Sequence, residues 1–359
     1  MLGRHLRVTS LGVSRLAAQH IGASRVRTVQ GIVSWLLAVQ AQDPLAARWA
    51  LGARLPGVTE RDVIAALDDG RILRTHVMRG TWQYVVPEDL QWLLSLFGPK
   101  VRASAARRHQ QLGLDAKTLA RSEALLEKAL QQKPALSREG AREVLEAGGV
   151  STQEQRLSHL LIDAELSGLL CSGPHADGKA TWALVERRVG AAKKLPSREA
   201  LLGQLARRFF ESRGPATLQD FRWWTGLTAG DAKAGLETTQ AALQSMRLDD
   251  RTLWWREDHA PAVTHGLLPA FDEFLIGYQH RDDVLDPQHV KRINAGGGLL
   301  APVLVHEGKV VGVWRRTLAT KSVKVEFDWF GKPTAAQLRA MRGEAERYAT
   351  FLGLALEGA

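Results

Sequence analysis

TERDVIAALDDGRILRTHVMRGTWQYVVPED, residues 59–89, is the stretch on which the fold turns. Thr59 ahead of Glu60, Arg61 and Asp62 reads as an N-cap with acids in the first turn, and Asp69-Gly70 closes the helix it opens. Two extended runs follow, Ile72–Val77 and Thr81–Val86, joined through Met78-Arg79-Gly80. Pro87-Glu88-Asp89 starts another helix, with proline at a first-turn position where its missing N–H costs nothing. Upstream the chain reads as two further helices, so residues 11–96 run helix, helix, helix, strand, strand, helix. Three helices and a two-stranded hairpin make the winged-helix pattern, an elaboration of helix-turn-helix.

The same order recurs downstream. Helices at 116–131, 137–147 and 151–168 precede short runs at Leu169–Ser172 and Ala180–Val185. A third copy places helices at 197–213, 217–225 and 228–243 before Met246–Leu248 and Thr252–Arg256. Ser137, Ser151, Ser197, Thr217 and Thr228 stand at N-caps. Beyond residue 260 the pattern turns to strands at Val263–Leu268, Leu299–His306, Val310–Arg316 and Ser322–Phe327, closed by a helix from Thr334 to Phe351. The expected class is α+β. About three tandem winged helices (1–110 carrying the catalytic motif, 111–195 and 196–258) precede a β-rich, barrel-like domain with a C-terminal helix (259–359).

The 359 residues are 45% hydrophobic and 24% charged, the balance of a globular chain rather than a disordered one. A lone cysteine, Cys171, excludes an internal disulfide framework and a cysteine-built zinc site. No secretory apolar core and no run of the roughly 18–20 apolar residues that span a bilayer are present, so a cytoplasmic protein without membrane contact is expected. Net charge is +10, and 35 of the 48 cations are arginine. Residues 1–120 hold an excess of +8, residues 121–240 of +2, and the remainder none. An arginine-rich composition alone would raise the total; its concentration in the first third favours a polyanionic partner gripped by guanidinium forks.

The second helix of the 11–96 run carries the most chemical information. Val29, Ile32, Val33, Leu36 and Leu37 form a buried stripe, and the next position on it is Gln40, an amide where an apolar residue is expected. Ala41, Gln42, Asp43 and Pro44 follow. Proline drives Asp43 out of the α-region, so the helix should end near Gln40. If the segment is then extended, Gln40 and Gln42 point to one side, because strand side chains alternate. That sets two amides side by side at the mouth of a core. The same residues suit a helix end whose glutamines satisfy loose backbone groups.

The segment Leu37-Ala38-Val39-Gln40-Ala41-Gln42-Asp43-Pro44 resembles the glutamine–apolar–glutamine motif of the AlkZ-like (AlkZ/YcaQ) winged-helix DNA glycosylase family. Thr75–Trp82, Leu268–Tyr278 and Gly308–Arg316 match further family stretches in the expected order, over nearly the whole chain. The resemblance implies tandem winged helices and a β-domain in a C-shape around DNA, and excision of N7-alkylated purines, including bulky natural-product adducts and crosslinks. One departure is visible. Relatives often carry histidine where Gln83 stands, which puts any role of that histidine here in doubt.

N7 alkylation already makes the base a good leaving group, so the enzyme must chiefly position water at C1′ and stabilise an oxocarbenium-like transition state. Glutamine is no general base, but its carbonyl oxygen can hold a water while its NH₂ orients on DNA. The expected catalytic pair is therefore Gln40 and Gln42, with Asp43 second as a base. No lysine precedes Lys100, which disfavours a Schiff-base nucleophile near the motif and a lyase step.

Expected DNA contacts are Arg74, His76, Arg79, Thr81 and Gln83 on the wing, Arg292, Gly296 and Gly297 on a glycine-tipped hairpin, and Arg315. The bland alternatives are a solvated turn, a structural His76 and a flexible glycine loop. Of the pairs Trp223-Trp224 and Trp254-Trp255, one member each should be core. Asp272-Glu273 and Asp282-Asp283 read as polar surface or partners of Arg281, and no metal or cofactor is expected. A monomer acting on double-stranded DNA follows. The competing reading is a non-catalytic winged-helix regulator or adduct-sequestering factor, although a regulator has no use for three copies or for an amide pair ending a core stripe. An RNA-binding module is disfavoured by the lack of an aromatic-rich sheet signature. If arginine–phosphate contacts dominate binding, log K for duplex DNA falls linearly with log salt, losing about a hundredfold or more between 50 and 200 mM. A filter-binding titration that came out flat would remove the polyanion reading.

Overall fold

The computed structural model describes residues 11–22, 25–191, 194–256, 263–296 and 298–358. It is a mixed α+β fold that divides into two compact units, residues 1–63 with 197–359, and residues 64–196. The first unit is discontinuous in sequence, and each unit is held by its own contacts.

In the first unit a five-stranded sheet curls as a half-barrel, in the order Ala355–Glu357, Ser322–Trp329, Lys309–Leu318, Val303–His306, His265–Leu268. The first pair is parallel and the rest antiparallel. Helix Ala335–Leu352 is opened by a Thr334/Gln337 capping box and closed by left-handed Gly353. It packs on the sheet through Tyr348, whose ring meets Trp49 at 4.9 Å and Trp314 at 5.2 Å. Neither indole leaves its N–H unmet in the core: Trp49 donates to the Leu267 carbonyl and Trp314 to that of Leu268. Helices Arg198–Arg213, Leu218–Thr225 and Ala229–Thr239 form a second cluster around Phe209, Phe210, Phe221 and Trp224. Trp224 is buried while Trp223 is exposed, as the adjacent pair required.

The second unit contains the antiparallel hairpin Leu73–His76 with Trp82–Val85, then helix Pro87–Ser104 with proline in its first turn. Helices Ala116–Gln132, Arg138–Ala147 and Arg156–Leu166 precede a second hairpin, Leu170–Ser172 with Thr181–Leu184. Leu126, Leu130, Leu145, Leu160 and Trp182 share one core there. Burial pushes the Cys171 thiol up to about 12.

Local signals fail at four places, each for a physical reason. Helix Pro44–Gly52 was not expected: the extended Asp43 that ends one element is the N-cap of the next, with Pro44 in its first turn. Ser151 caps nothing, because its helix starts only at Arg156, whose guanidinium donates to the Ser151 carbonyl. The run 299–306 breaks into Leu299–Leu300 and Val303–His306, with Pro302, which has no ladder N–H, in the gap. Asp272 and Glu273 are not surface residues; each is 1% exposed, and neither pairs with Arg281.

Asp272 faces Arg54 in a two-pronged pair at 2.8 and 2.9 Å, both side chains fully buried. Arg54 also donates to Gln19, which donates to Tyr278. Removing one partner strands the other charge in the core. Arg54→Met is expected to lower the unfolding free energy by about 3–5 kcal/mol, read from denaturant midpoints. A loss below about 1 kcal/mol would mean water reaches the pair.

Candidate active site

Helix Val29–Leu36 ends when Leu37, fully buried, takes φ 67° and ψ −51°. The Ala38 N–H returns to the Leu36 carbonyl at 2.8 Å, closing a γ-turn that an L-residue holds only where surroundings compel it. The stop comes a turn before the expected one near Gln40. Val39 and Gln40 are then extended; Val39 and Ala41 are buried, Gln40 half-buried and Gln42 exposed. That alternation puts both amides on the outer side of the segment. Asp43 follows with its Oδ1 accepting from the Leu45 and Ala46 N–H groups at 3.0 and 3.2 Å.

What compels the turn lies far off in sequence. Arg213, at the end of its helix, donates to the Leu36 carbonyl at 2.8 Å and to that of Ala38 at 3.0 Å. Arg208, one turn earlier, donates to the Ser34 carbonyl. Two guanidinium groups thus occupy the carbonyl end of helix Val29–Leu36, where backbone acceptors and the helix dipole both favour cations. Glu273 completes the arrangement. Its Oε2 accepts from Arg213 at 2.7 Å and from the Trp224 indole at 2.8 Å, while its Oε1 accepts the Gln40 N–H at 3.0 Å. The Arg213 guanidinium lies over the Trp224 ring, 4.0 Å from its centre.

Polar groups flank the motif. Arg48, on the helix Asp43 caps, pairs with Glu60 at 2.7 Å. The Tyr348 hydroxyl is pushed up to about 12, first by burial, with Asp43 and Glu60 raising it and a hydrogen bond to Arg316 opposing. Arg316 shares the strand face of Trp314 and so reaches Tyr348, whereas the expected Arg315 is exposed, opposite Glu326 in the ladder.

The expected wing contacts separate into surface and interior. Arg79 is exposed at the hairpin tip with φ 56°. Arg74 is half-buried over the Trp82 ring at 3.9 Å, and the Thr81 hydroxyl turns back to the Met78 carbonyl. His76 and Gln83 are 2% and 1% exposed, and their burial takes them off the surface. His76 Nδ1 lies 2.7 Å from Glu165, which also accepts the His76 backbone N–H and the Trp182 indole. The Gln83 carbonyl accepts the Met78 N–H and braces the turn. In the other unit, Arg292 reaches Asp328 at 2.7 Å and stacks on Phe330. The hairpin Asn294–Gly296 with Leu299–Leu300 is present, with Gly296 at φ 85° and open space around it. Gly297 lies outside the described residues. Among the described residues, no group of three His, Cys, Asp or Glu could hold a metal.

Sequence reasoning missed Arg213, Glu273 and Arg316. A signal for Glu273 existed: two acids set inside Leu268-Pro269-Ala270-Phe271 and Phe274-Leu275-Ile276 cannot easily face water.

With this geometry in view, comparison with known proteins is direct. A curated relative, the interstrand DNA cross-link repair glycosylase of Streptomyces sahachiroi, is 27% identical over 330 residues, covering 84% of this chain and 85% of its own. The solved structure of Streptomyces sahachiroi DNA glycosylase AlkZ shares the fold, with a TM-score of 0.79 at 22% identity over 97% of this chain and 98% of that one. Residues 33–351 match the family described as DNA glycosylase AlkZ-like. The chain belongs to the AlkZ-like DNA glycosylase family and is an enzyme of that class.

Tyr278, like Tyr348, is pushed by burial from the ordinary 10.0 to about 12. The folded state therefore keeps phenolic protons that the unfolded chain releases. Stability from these groups is complete below pH 10 and is lost as pH rises towards 12. Tyrosinate absorbance from these two should accordingly rise together with unfolding; free titration of Tyr278 and Tyr348 near 10.0 in the folded protein would contradict their burial.

Proposed function

We propose that the chain is a monofunctional glycosylase that hydrolyses the N-glycosidic bond of cationic N7-alkylated purines in duplex DNA. Bulky adducts and interstrand crosslinks fall within that class, in line with the cross-link repair role in the name of its Streptomyces sahachiroi relative. Gln40 and Gln42 hold the attacking water through their carbonyl oxygens. Its oxygen bonds to C1′ as the C1′–N9 bond breaks, the base leaves with the electron pair and becomes neutral, and the surplus proton passes to solvent. A leaving group already charged needs no strong acid, so positioning supplies the remaining catalysis. The helix–hairpin segments are read as tandem winged helices, with Arg79 at the first wing tip, Arg74 and Thr81 beside it, and Arg292, Gly296 and Arg315 on the β-rich part as DNA contacts.

One observation supports the catalytic reading: Gln40 and Gln42 are the more exposed members of an alternating segment at the end of a buried stripe, and the Gln40 backbone is anchored on Glu273. Asp43 is engaged as a helix cap, which disfavours it as the base.

The test is base release from duplex DNA containing 7-methylguanine, counted as abasic sites by alkaline cleavage. Gln40→Ala and Gln42→Ala should each cut the single-turnover rate by about a hundredfold with DNA affinity little changed. Asp43→Asn keeps the cap and should stay within about threefold of wild type. Collapse of activity in Asp43→Asn, with both alanine variants active, would transfer the chemistry to a carboxylate base.

A further inference from the structure

We infer that Glu273, acting with Arg213, is a positioning residue for excision: the pair fixes the peptide from Leu36 to Gln40 and thereby aims the Gln40 amide. The inference rests on the reading of Gln40 and Gln42 as the water-holding pair. Between the end of the helix at Leu36 and the cap at Asp43, the chain turns at Leu37 and is strand at Val39–Gln40, and the ion pair adds side-chain anchors along it. Arg213 grips the carbonyls of Leu36 and Ala38, and Glu273 grips the N–H of Gln40, so alternate residues are held from one side by a single ion pair. Leu37 shows that this grip outweighs local preference, since the turn it adopts is unfavourable for leucine.

The division of labour within the carboxylate supports the same assignment. Oε2 takes all the donors that hold Glu273 itself, from Arg213 and Trp224, and Oε1 takes Gln40. A buried ion pair is weak as a device for stability alone, because apolar residues of equal volume often do as well. It is well suited to orienting a backbone, because it supplies fixed donors and a fixed acceptor in one rigid plane. A displacement of about 1 Å in a group that places a nucleophile is enough to cost a hundredfold in rate.

The test is a double-mutant cycle on the full-length protein with 7-methylguanine duplex, reading single-turnover rate and DNA dissociation constant separately. Glu273→Gln keeps an oxygen for the Gln40 N–H but loosens Arg213; it is expected to slow excision about tenfold or more while affinity stays within about twofold. Combined with Gln40→Ala, it should slow excision no further, because the group it aims is gone. Full additivity of the two changes overturns the inference, and so does a fully active Glu273→Gln. Should Glu273→Gln fail to fold, Trp224→Phe removes one donor to Oε2 and keeps the ring under Arg213; about a threefold loss, abolished in the Gln40→Ala background, is then expected. No loss in Trp224→Phe overturns the inference in its turn. Undiminished excision by Gln40→Ala and Gln42→Ala would instead defeat the underlying reading, a result distinct from failure of the clamp alone.

Discussion

A guanidinium shut away from water is among the most demanding groups a fold can carry, and Arg213 is shut away completely. Its donors must all find acceptors, and these are the neighbouring Ser212 hydroxyl together with a carboxylate and two backbone carbonyls drawn from two remote parts of the chain. Satisfying it brings together the end of helix Arg198–Arg213, the dipeptide Asp272-Glu273 and the segment Leu36–Gln40. The discontinuity of the first unit follows, since residues before 63 and after 197 are tied by the same polar core. Arg54 repeats the logic one residue away, on Asp272. Two adjacent acids thus anchor two arginines, and neither acid could be replaced by an apolar residue without stranding its partner.

The elements were legible wherever their signals were local. Thr59, Ser137, Ser197, Thr217 and Thr228 each begin or cap a helix as their side chains suggest, and both hairpins turn at their glycine-bearing loops. Asp43-Pro44 was legible only in half. A residue expelled from the α-region ends whatever precedes it, yet the same conformation is that of an N-cap, so stop and start coincide. The burial of Val39 and Ala41 against the greater exposure of Gln40 and Gln42 follows the alternation read from the sequence. What anchors that segment was not legible, because a partner 175 to 177 residues distant leaves no periodic trace.

The wing shows a different limit. Alternation along Leu73–His76 and Trp82–Val85 says which side a residue takes, but not whether that side meets solvent or a second layer. Here Glu165 and Trp182 cover the face bearing His76, and the neighbouring turn folds Gln83 under Met78. Polarity in such a hairpin is therefore divided between an interior that sets the shape of the turn and a tip, at Arg79, that meets the outside.

Cys171 lies in the middle of strand Leu170–Ser172 of the second hairpin, its thiol held well above neutrality by desolvation. The thiolate, not the thiol, is the nucleophile that an electrophilic alkylating agent consumes. With its lone sulfhydryl protonated and enclosed, the protein offers such reagents no thiolate to attack. Enclosure and the raised thiol pKa thus both work against modification of that residue.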